Sequence, residues 1–236
     1  MIEEKLWAAA QAAAGDSIVV EVVRGVHFTA VFLGNGAVGV ACTFVARGEG
    51  EEWSQPLLLH LPLETAELLL LARSPHLGDR SIALATANAL LQAEDPPSRE
   101  ELPPLKNETE IVVVGNVGGL VRELKEKGHR LRVFDENDKN SLPLDMAGRR
   151  LAEADLVILA ANTIINGSWT SLLARARSAW IAGPCCPLVP PLFEGTPVKW
   201  LVGRRVTDGE KLGRLLTRGG GLAQLEPCME RVVLPV

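Results

Sequence analysis

The turn after the first strand-like run in the second half of the chain has residues suited to binding an anion. Ile111 to Val114 reads as a buried strand, and the turn begins with Gly115 and Asn116 and continues through Gly118 into a helical pattern. Backbone N–H groups at a helix start point outward, and the helix dipole favours negative charge there. Asn116 adds a side-chain donor and acceptor. The turn therefore predicts a site for a carboxylate or phosphate group without identifying the molecule.

The same turn matches a dinucleotide-binding fingerprint only in part. The fingerprint needs glycine at its first, third and sixth positions, which here are Gly115, Val117 and Leu120. Asp135 lies 20 residues beyond Gly115, near where an acid would hold a ribose hydroxyl. Binding of NAD, FAD or adenosylmethionine is therefore one alternative interpretation. A glycine needed only for close packing of strand and helix is another.

Two further polar loops are expected at the same edge of the sheet. Asn162 and Thr163 follow the strand predicted over 155–161, and Gly183 and Pro184 follow the strand predicted over 179–182. The carboxyl ends of parallel strands meet at one edge, where ligand-binding side chains concentrate. Helix capping and turn formation are the alternative roles for such amides and hydroxyls.

The cysteines do not have the spacing of a metal site or of a disulfide framework. Cys185 and Cys186 are adjacent, Cys42 and Cys228 are distant, and no C-x-x-C or H-x-x-H pattern lies nearby. We therefore expect free, partly buried thiols in a reducing compartment. The sequence also lacks a G-x-S-x-G elbow, an H-E-x-x-H pattern and a Walker lysine, so it does not favour hydrolytic chemistry.

A Rossmann-like pattern positions these residues. Residues 110–138 read as strand, glycine turn, helix and strand, which predicts a β-α-β unit. Strand patterns over 155–161, 179–182 and 198–202 then alternate with helical patterns over 169–177 and 208–217. The second half is therefore expected to be an α/β domain with a parallel sheet.

The first half follows an α+β pattern. A helix is predicted over 2–14, strands over 17–23, 27–33 and 38–46, and helices over 64–73 and 81–92. Gly34-Asn35-Gly36 indicates a hairpin with a type I′ turn. Four prolines and several charges then indicate a linker. The predicted organisation is a domain over 1–94, a linker over 95–109 and a second domain over 110–236.

Composition narrows the function classes. A net charge of −5 over 236 residues argues against a nucleic-acid partner. The acidic start does not fit a secretory signal, and no apolar run is long enough to span a bilayer. We expect a cytoplasmic protein with a small-molecule or metal-ion partner. A homodimer formed through the apolar C-terminal strand is an open alternative.

Several short motifs together resemble a known family. They are EVVRG over 21–25, the Gly34–Gly36 hairpin, SIALATANALL over 81–91, VVVGNVGGLV over 112–121, DLVILAANTIINGS over 155–168 and AGPCCPLVPPLF over 182–193. This combination resembles the DUF364 family of heavy-metal chelation domains, preceded by a DUF4213-type N-terminal domain. The resemblance covers nearly the whole chain.

The resemblance implies an enolase-N-terminal-like α+β domain, a Rossmann-like domain and a site in the cleft between them. It implies chelation of a transition or heavy metal ion, or binding of a metal chelate or small anionic ligand. A nucleotide-cofactor enzyme and a non-catalytic dimeric module are the alternatives. Cys185-Cys186 stand where the family is expected to have small or hydroxyl residues, so they are not taken as its metal ligands. The positions expected to bind ligand, besides the Gly115 turn, are Glu21, Asn88, Asn162, Thr163, Gly183, Pro184 and Pro187.

Overall fold

The computed structural model contains two compact units. The N-terminal unit comprises residues 4–92 and 205–230, and the C-terminal unit comprises residues 1–3, 93–204 and 231–236. The sequence pattern assigns 205–230 to the second domain, whereas in the structure this segment belongs with the N-terminal residues. The structure describes residues 2–44, 61–92, 101–106, 109–135 and 147–236. The end of the third predicted strand and parts of the predicted linker therefore lie outside the described residues.

A four-stranded antiparallel sheet forms the centre of the N-terminal unit. The strand order is β3-β2-β1-β4, and the pairings of β1 with β2, β1 with β4 and β2 with β3 are antiparallel. In chain order the elements are α1 (Ile2–Ala14), β1 (Ile18–Arg24), β2 (Phe28–Leu33), β3 (Val38–Cys42), β4 (Leu63–Glu64), α2 (Thr65–Leu70) and α3 (Leu77–Leu91). The predicted α+β pattern is confirmed in this part of the chain.

Helix α3 packs directly on the backbone of β3. A Cβ atom at Gly39 would lie 2.0 Å from Ala85 O and 2.3 Å from Ala89 N, so only glycine permits this approach. Asn88 Nδ2 donates a hydrogen bond to Val40 O at 2.9 Å. The helix is therefore held against this strand by close packing and by one side-chain amide.

The predicted hairpin is present, but its turn is of a different type. Gly36 N donates to Leu33 O and Leu33 N donates to Ala37 O, both at 2.9 Å, which makes a three-residue loop. Gly36 has a φ of +88°, whereas Asn35 does not have a positive φ. A type I′ turn needs two residues with positive φ, so the loop is instead a type I turn followed by a glycine bulge.

The C-terminal unit is a Rossmann-like α/β structure, as predicted. In chain order its elements are β5 (Ile111–Val114), α4 (Gly118–Glu126), β6 (Leu131–Phe134), α5 (Ala147–Glu153), β7 (Leu156–Ala160), α6 (Trp169–Leu173), β8 (Ala179–Ala182), β9 (Val198–Val206) and β10 (Met229–Pro235). The strand order is β10-β9-β8-β7-β5-β6, and the pairs from β9 through β6 are parallel. Every residue of β5, β7 and β8 is buried, as expected for strands covered on both faces.

Part of the predicted linker belongs to the core of this unit. Leu102 is buried in the same apolar cluster as Ile111, Leu124 and Trp180, and Leu105 packs against that cluster. The two leucines on either side of Pro103-Pro104 thus anchor residues 101–106 to the C-terminal unit.

The segment between β9 and β10 packs on the N-terminal sheet through α7 (Gly209–Thr217) and α8 (Leu222–Leu225). Leu212 and Leu216 are buried in one cluster with Phe28 and Val38. A Cβ atom at Gly209 would lie 2.8 Å from Val38 Cγ2, so the helix start approaches the sheet closely. None of the described helices is long and apolar enough to cross a membrane.

Candidate functional site

Gly115 ends strand β5 in a conformation that only glycine adopts readily. Its φ is +85°, and a Cβ atom there would lie 2.7 Å from Ala160 Cβ. Its N–H donates to Phe134 O at 2.8 Å. The turn is therefore fitted against the ends of both neighbouring strands, β6 and β7.

Asn162 lies beside this turn. A Cβ atom at Gly115 would be 3.1 Å from Asn162 Oδ1, so the amide oxygen and the turn are nearly in contact. Asn162 is half-buried, and its Oδ1 atom is inaccessible to solvent and has no hydrogen-bond partner. Buried polar atoms in folded proteins are normally paired. Asn162 Oδ1 is one of seven unpaired buried side-chain atoms among the described residues, and its position beside the Gly115 turn makes it a candidate contact for a ligand.

The loop after β8 reaches the same place. A Cβ atom at Gly183 would lie 3.8 Å from Val117 Cγ1 and 3.9 Å from Ala161 N, and Gly183 N donates to Val202 O at 2.9 Å. The loops after β5, β7 and β8 therefore meet at the carboxyl edge of the parallel sheet. We call this the strand-edge site, comprising residues 115–119, 161–164 and 183–187.

Helix α4 begins at this edge with its N–H groups directed outward. Asn116 Oδ1 accepts a hydrogen bond from Gly118 N at 3.1 Å, and no side chain caps the helix at Val117. Helix geometry gives the next N–H groups, those of Gly119 and Leu120, no partner within the helix. Nothing lies within 4 Å of a Cβ placed at Gly119, so the first turn of α4 is open to a ligand.

The other predicted residues near this edge differ in burial, and one of them, Thr163, has a structural role. The Thr163 hydroxyl is buried and donates to Ala160 O at 2.7 Å, which closes the turn after β7. Pro187 is buried and Pro184 is half-buried. Asp135 is also half-buried and directly follows Phe134, whose carbonyl accepts from Gly115. The groups left for a ligand at this site are therefore the Asn162 oxygen and the backbone N–H groups at the start of α4. The Thr163 hydroxyl already donates its hydrogen bond to Ala160 O.

Glu21 and Asn88 belong to the N-terminal unit. Asn88 uses its amide to tie α3 to β3, as described above. Glu21 is exposed and follows a bulge at Val20 in β1. It lines a groove of about 530 Å³, together with Phe32 of β2 and Arg214 of α7. Asn88 is not among the residues that line this groove.

The two adjacent cysteines, Cys185 and Cys186, are packed into the protein interior. None of the four cysteines forms a disulfide, and Cys185 and Cys186 are almost fully buried. Burial raises the pKa of the Cys186 thiol far above its ordinary range, and the neighbouring Cys185 adds to that shift. Cys186 Sγ donates to Ile181 O at 3.4 Å. A thiol held in its protonated form is a poor metal ligand and a poor nucleophile.

The wider donor set gives the same result. Among the residues that the structure describes, no three His, Cys, Asp or Glu side chains are close enough to hold one metal ion. Heavy-metal sites in proteins are built from such groups. The described residues therefore do not fit a metal ion bound only by protein side chains.

The dinucleotide interpretation also lacks room at the turn. Val117 and Leu120 are buried at the two positions where the fingerprint has glycine, and Val117 packs towards Gly183. Glycine at those positions allows the pyrophosphate and the strand to approach the backbone closely. Ala160 was not predicted to pack against the Gly115 turn, although the pair of alanines before Asn162 was a signal for close packing.

The fold defines a protein of two compact units, one of them a Rossmann-like α/β unit that carries the strand-edge site as a candidate site. Comparison with known families is more specific: the DUF364 model matches residues 101–235, and the DUF4213 model matches residues 7–91. Both models carry the description "Putative heavy-metal chelation". The chain belongs to the DUF364 family, as its motifs indicated.

Individual relatives agree with this assignment. A crystal structure of a DUF364 protein of unknown function from Pyrococcus horikoshii is 25% identical, covers 100% of both chains and has a TM-score of 0.82. A second DUF364 structure, from Desulfitobacterium hafniense, is 21% identical over 99% of both chains with a TM-score of 0.76, and shows the same fold. An uncharacterized protein of Methanocaldococcus jannaschii is 26% identical over 75% of this chain and 73% of its own length.

Proposed function

We propose that the protein binds a small anionic ligand, or a metal ion held within such a ligand, at the strand-edge site. The observation that carries this proposal is the buried Asn162 Oδ1 without a hydrogen-bond partner, next to the Gly115 turn. The open first turn of α4 lies in the same group of loops.

The two features ask for two different groups on one ligand. Outward N–H groups at a helix start favour a carboxylate or a phosphate. The Asn162 oxygen is an acceptor, and leaving a buried acceptor unpaired costs about 1–3 kcal/mol, so it favours an N–H or O–H donor. A carboxylate that carries a nearby hydroxyl or amino group meets both demands.

Ligands of this kind also bind metals. Carboxylate oxygens together with hydroxyl or amine groups are the usual donor atoms of small chelators, and transition metals bind such O and N donors. The description attached to the two family models is consistent with a ligand that brings a metal with it.

Calorimetric titration tests the proposal. The panel contains inorganic phosphate, citrate and histidine, each alone and with Zn²⁺ or Ni²⁺, together with NADH and adenosylmethionine. We expect at least one of the anionic ligands to bind, and Asn162→Ala to weaken that binding at least tenfold, on the order of one lost hydrogen bond to a buried group.

Asn166→Ala is the matched control, because Asn166 is exposed and its Oδ1 accepts from Ser168 N and Ser168 Oγ in the neighbouring turn. The control should bind like the parent protein. Binding of only NADH or adenosylmethionine would overturn the proposal in favour of a nucleotide-cofactor enzyme. If parent and Asn162→Ala bind a ligand equally, that ligand does not bind at the strand-edge site.

A further inference from the structure

We infer that this protein recognises the organic part of a metal chelate, and that its described side chains do not coordinate the metal. The inference rests on the proposed function and specifies its substrate class. It follows from a disagreement between the heavy-metal description of the family models and the side chains that this chain places at the strand-edge site.

The donor atoms at the site are of the wrong kind for a heavy-metal ion. The side chains that the three loops contribute are two amides, Asn116 and Asn162, one hydroxyl, Thr163, two thiols and apolar or proline side chains. The Thr163 hydroxyl donates a hydrogen bond to a backbone carbonyl, and Asn116 Oδ1 accepts one from Gly118 N. Soft and borderline metals select thiolate and imidazole ligands, and neutral amides do not replace them.

The two thiols of this loop are committed to packing. Cys186 Sγ lies 3.4 Å from Ile181 O and 3.8 Å from Pro187 O, which it faces as a donor. A Cβ atom at Gly203 would lie 3.2 Å from Cys186 Cβ, so the thiol is closely surrounded. Cys185 is 1% exposed. A metal ion would have to displace this packing as well as two protons.

The acid at this edge does not supply the missing donors. Asp135 is one carboxylate, and the described residues place no two further His, Cys, Asp or Glu side chains around it. One carboxylate with neutral amides leaves most of the coordination sphere to water. A chelator fills that sphere itself and presents its outer oxygens and its hydroxyl or amine to the protein.

A testable consequence follows for affinity. If the protein contacts only the chelator, the metal contributes no differential contact, and a ligand binds equally with and without it. The metal-free and metal-loaded forms of one chelator should therefore have dissociation constants within about threefold of each other. The free metal ion should not bind to the residues of the site.

The experiment uses the full chain in its reduced form and three titrants: Ni²⁺ alone, citrate alone and Ni²⁺–citrate. Iminodiacetate, which keeps its N–H group when it binds a metal, is the second chelator. Heat and ultraviolet absorbance are recorded together, because a thiolate bound to Ni²⁺ gives a charge-transfer band. The variants are Asn162→Ala and the double variant Cys185→Ala with Cys186→Ala. The absorbance arm needs no variant, so it remains informative if the double variant does not fold.

We expect no charge-transfer band, similar affinities for loaded and free chelator, and weaker binding of both forms to Asn162→Ala. Ion binding that is unchanged in every variant also agrees with the inference. A charge-transfer band, or binding of the free ion that is lost in either variant, would overturn it. If only the loaded chelator binds, the inference fails and the proposed function stands; if no chelator or other anion binds in either form, the proposed function fails as well.

Discussion

The amide oxygen of Asn162 lies directly beside Gly115, 3.1 Å from the point where a Cβ atom of residue 115 would be. The two residues follow β7 and β5, which are neighbours in the parallel sheet. Their closeness joins a backbone turn that leads into a helix with a polar atom that has no partner. This relationship is the physical basis of the proposed ligand site, and it can be tested from both sides.

Gly115→Ala should destabilise the protein. Residue 115 has a φ of +85°, which is unfavourable for alanine, and the added Cβ would lie 2.7 Å from Ala160 Cβ. We expect a loss of about 2–4 kcal/mol in the free energy of unfolding, measured by urea denaturation. Gly119→Ala is the control, since space is open there, and it should stabilise the helix by about 0.5–1 kcal/mol. An unchanged stability of Gly115→Ala would contradict the described turn.

Asn162 and its neighbour Thr163 should differ in their effects on stability. The Asn162 oxygen makes no hydrogen bond, so Asn162→Ala loses none and should not lower the free energy of unfolding by more than about 1 kcal/mol. Thr163→Val removes a bond of 2.7 Å to Ala160 O and should cost about 0.5–1.5 kcal/mol. Thermal or urea unfolding measures both. A larger loss for Asn162→Ala than for Thr163→Val would show that Asn162 is structural.

Helix α7 should be essential to the N-terminal unit, although it lies far along the chain. Leu212 is fully buried among residues of that unit, so Leu212→Ala should lower the free energy of unfolding by about 2–5 kcal/mol. Lys211→Ala, at an exposed neighbouring position, should stay within about 0.5 kcal/mol of the parent. Equal stabilities of the two variants would argue against the packing of α7 on this sheet.

The position of α7 marks the limit of what the sequence predicts. The helix itself is predicted from the spacing of Leu212 and Leu216, because that spacing determines one apolar face. The pattern does not say which sheet this face covers, and proximity along the chain suggested the wrong unit. Parallel strands such as β5 and β7 were easier to predict, because short continuous apolar runs that follow a charged residue indicate strands buried on both faces.

For the site, too, the sequence predicts some features and not others. The placement of the Gly115 turn and Asn162 at one edge was predicted, because strand ends in a parallel sheet share that edge, and their role in ligand binding stays a prediction. The roles of Thr163 and Asn88 could not be read from the sequence, since a hydroxyl or amide looks the same whether it bonds to backbone or faces a ligand. Their hydrogen bonds to Ala160 O and Val40 O became visible only with the folded chain.

Glu123 should make the free energy of unfolding fall as the pH is lowered into the acid range. Burial acts to raise the pKa of this carboxyl, but hydrogen bonds from Lys127 and Arg231 outweigh burial and hold the pKa below its ordinary 4.5. Because the folded pKa is lowered, the stabilisation is present above pH 4.5 and is lost as the pH falls through the folded pKa. Glu123→Gln should therefore be less stable than the parent at pH 7, by less than about 1 kcal/mol, and the difference should shrink below pH 4.5.

Urea denaturation across the pH range measures this effect. Glu153→Gln is the control, because its partner Arg149 is 90% exposed and such pairs contribute little. A difference between parent and Glu123→Gln that stays constant down to about pH 3, below the usual carboxyl pKa range, would contradict the lowered pKa of Glu123.

The most direct test of the central claim is a nuclear magnetic resonance titration of the ¹⁵N-labelled protein with the anionic ligand that calorimetry identifies. We predict that the backbone N–H signals of Gly115 and Gly119 and the side-chain amide signal of Asn162 shift. These shifts should saturate together with one dissociation constant. Shifts confined to the groove at Glu21 and Arg214, with the Gly115, Gly119 and Asn162 signals unmoved at saturation, would contradict it.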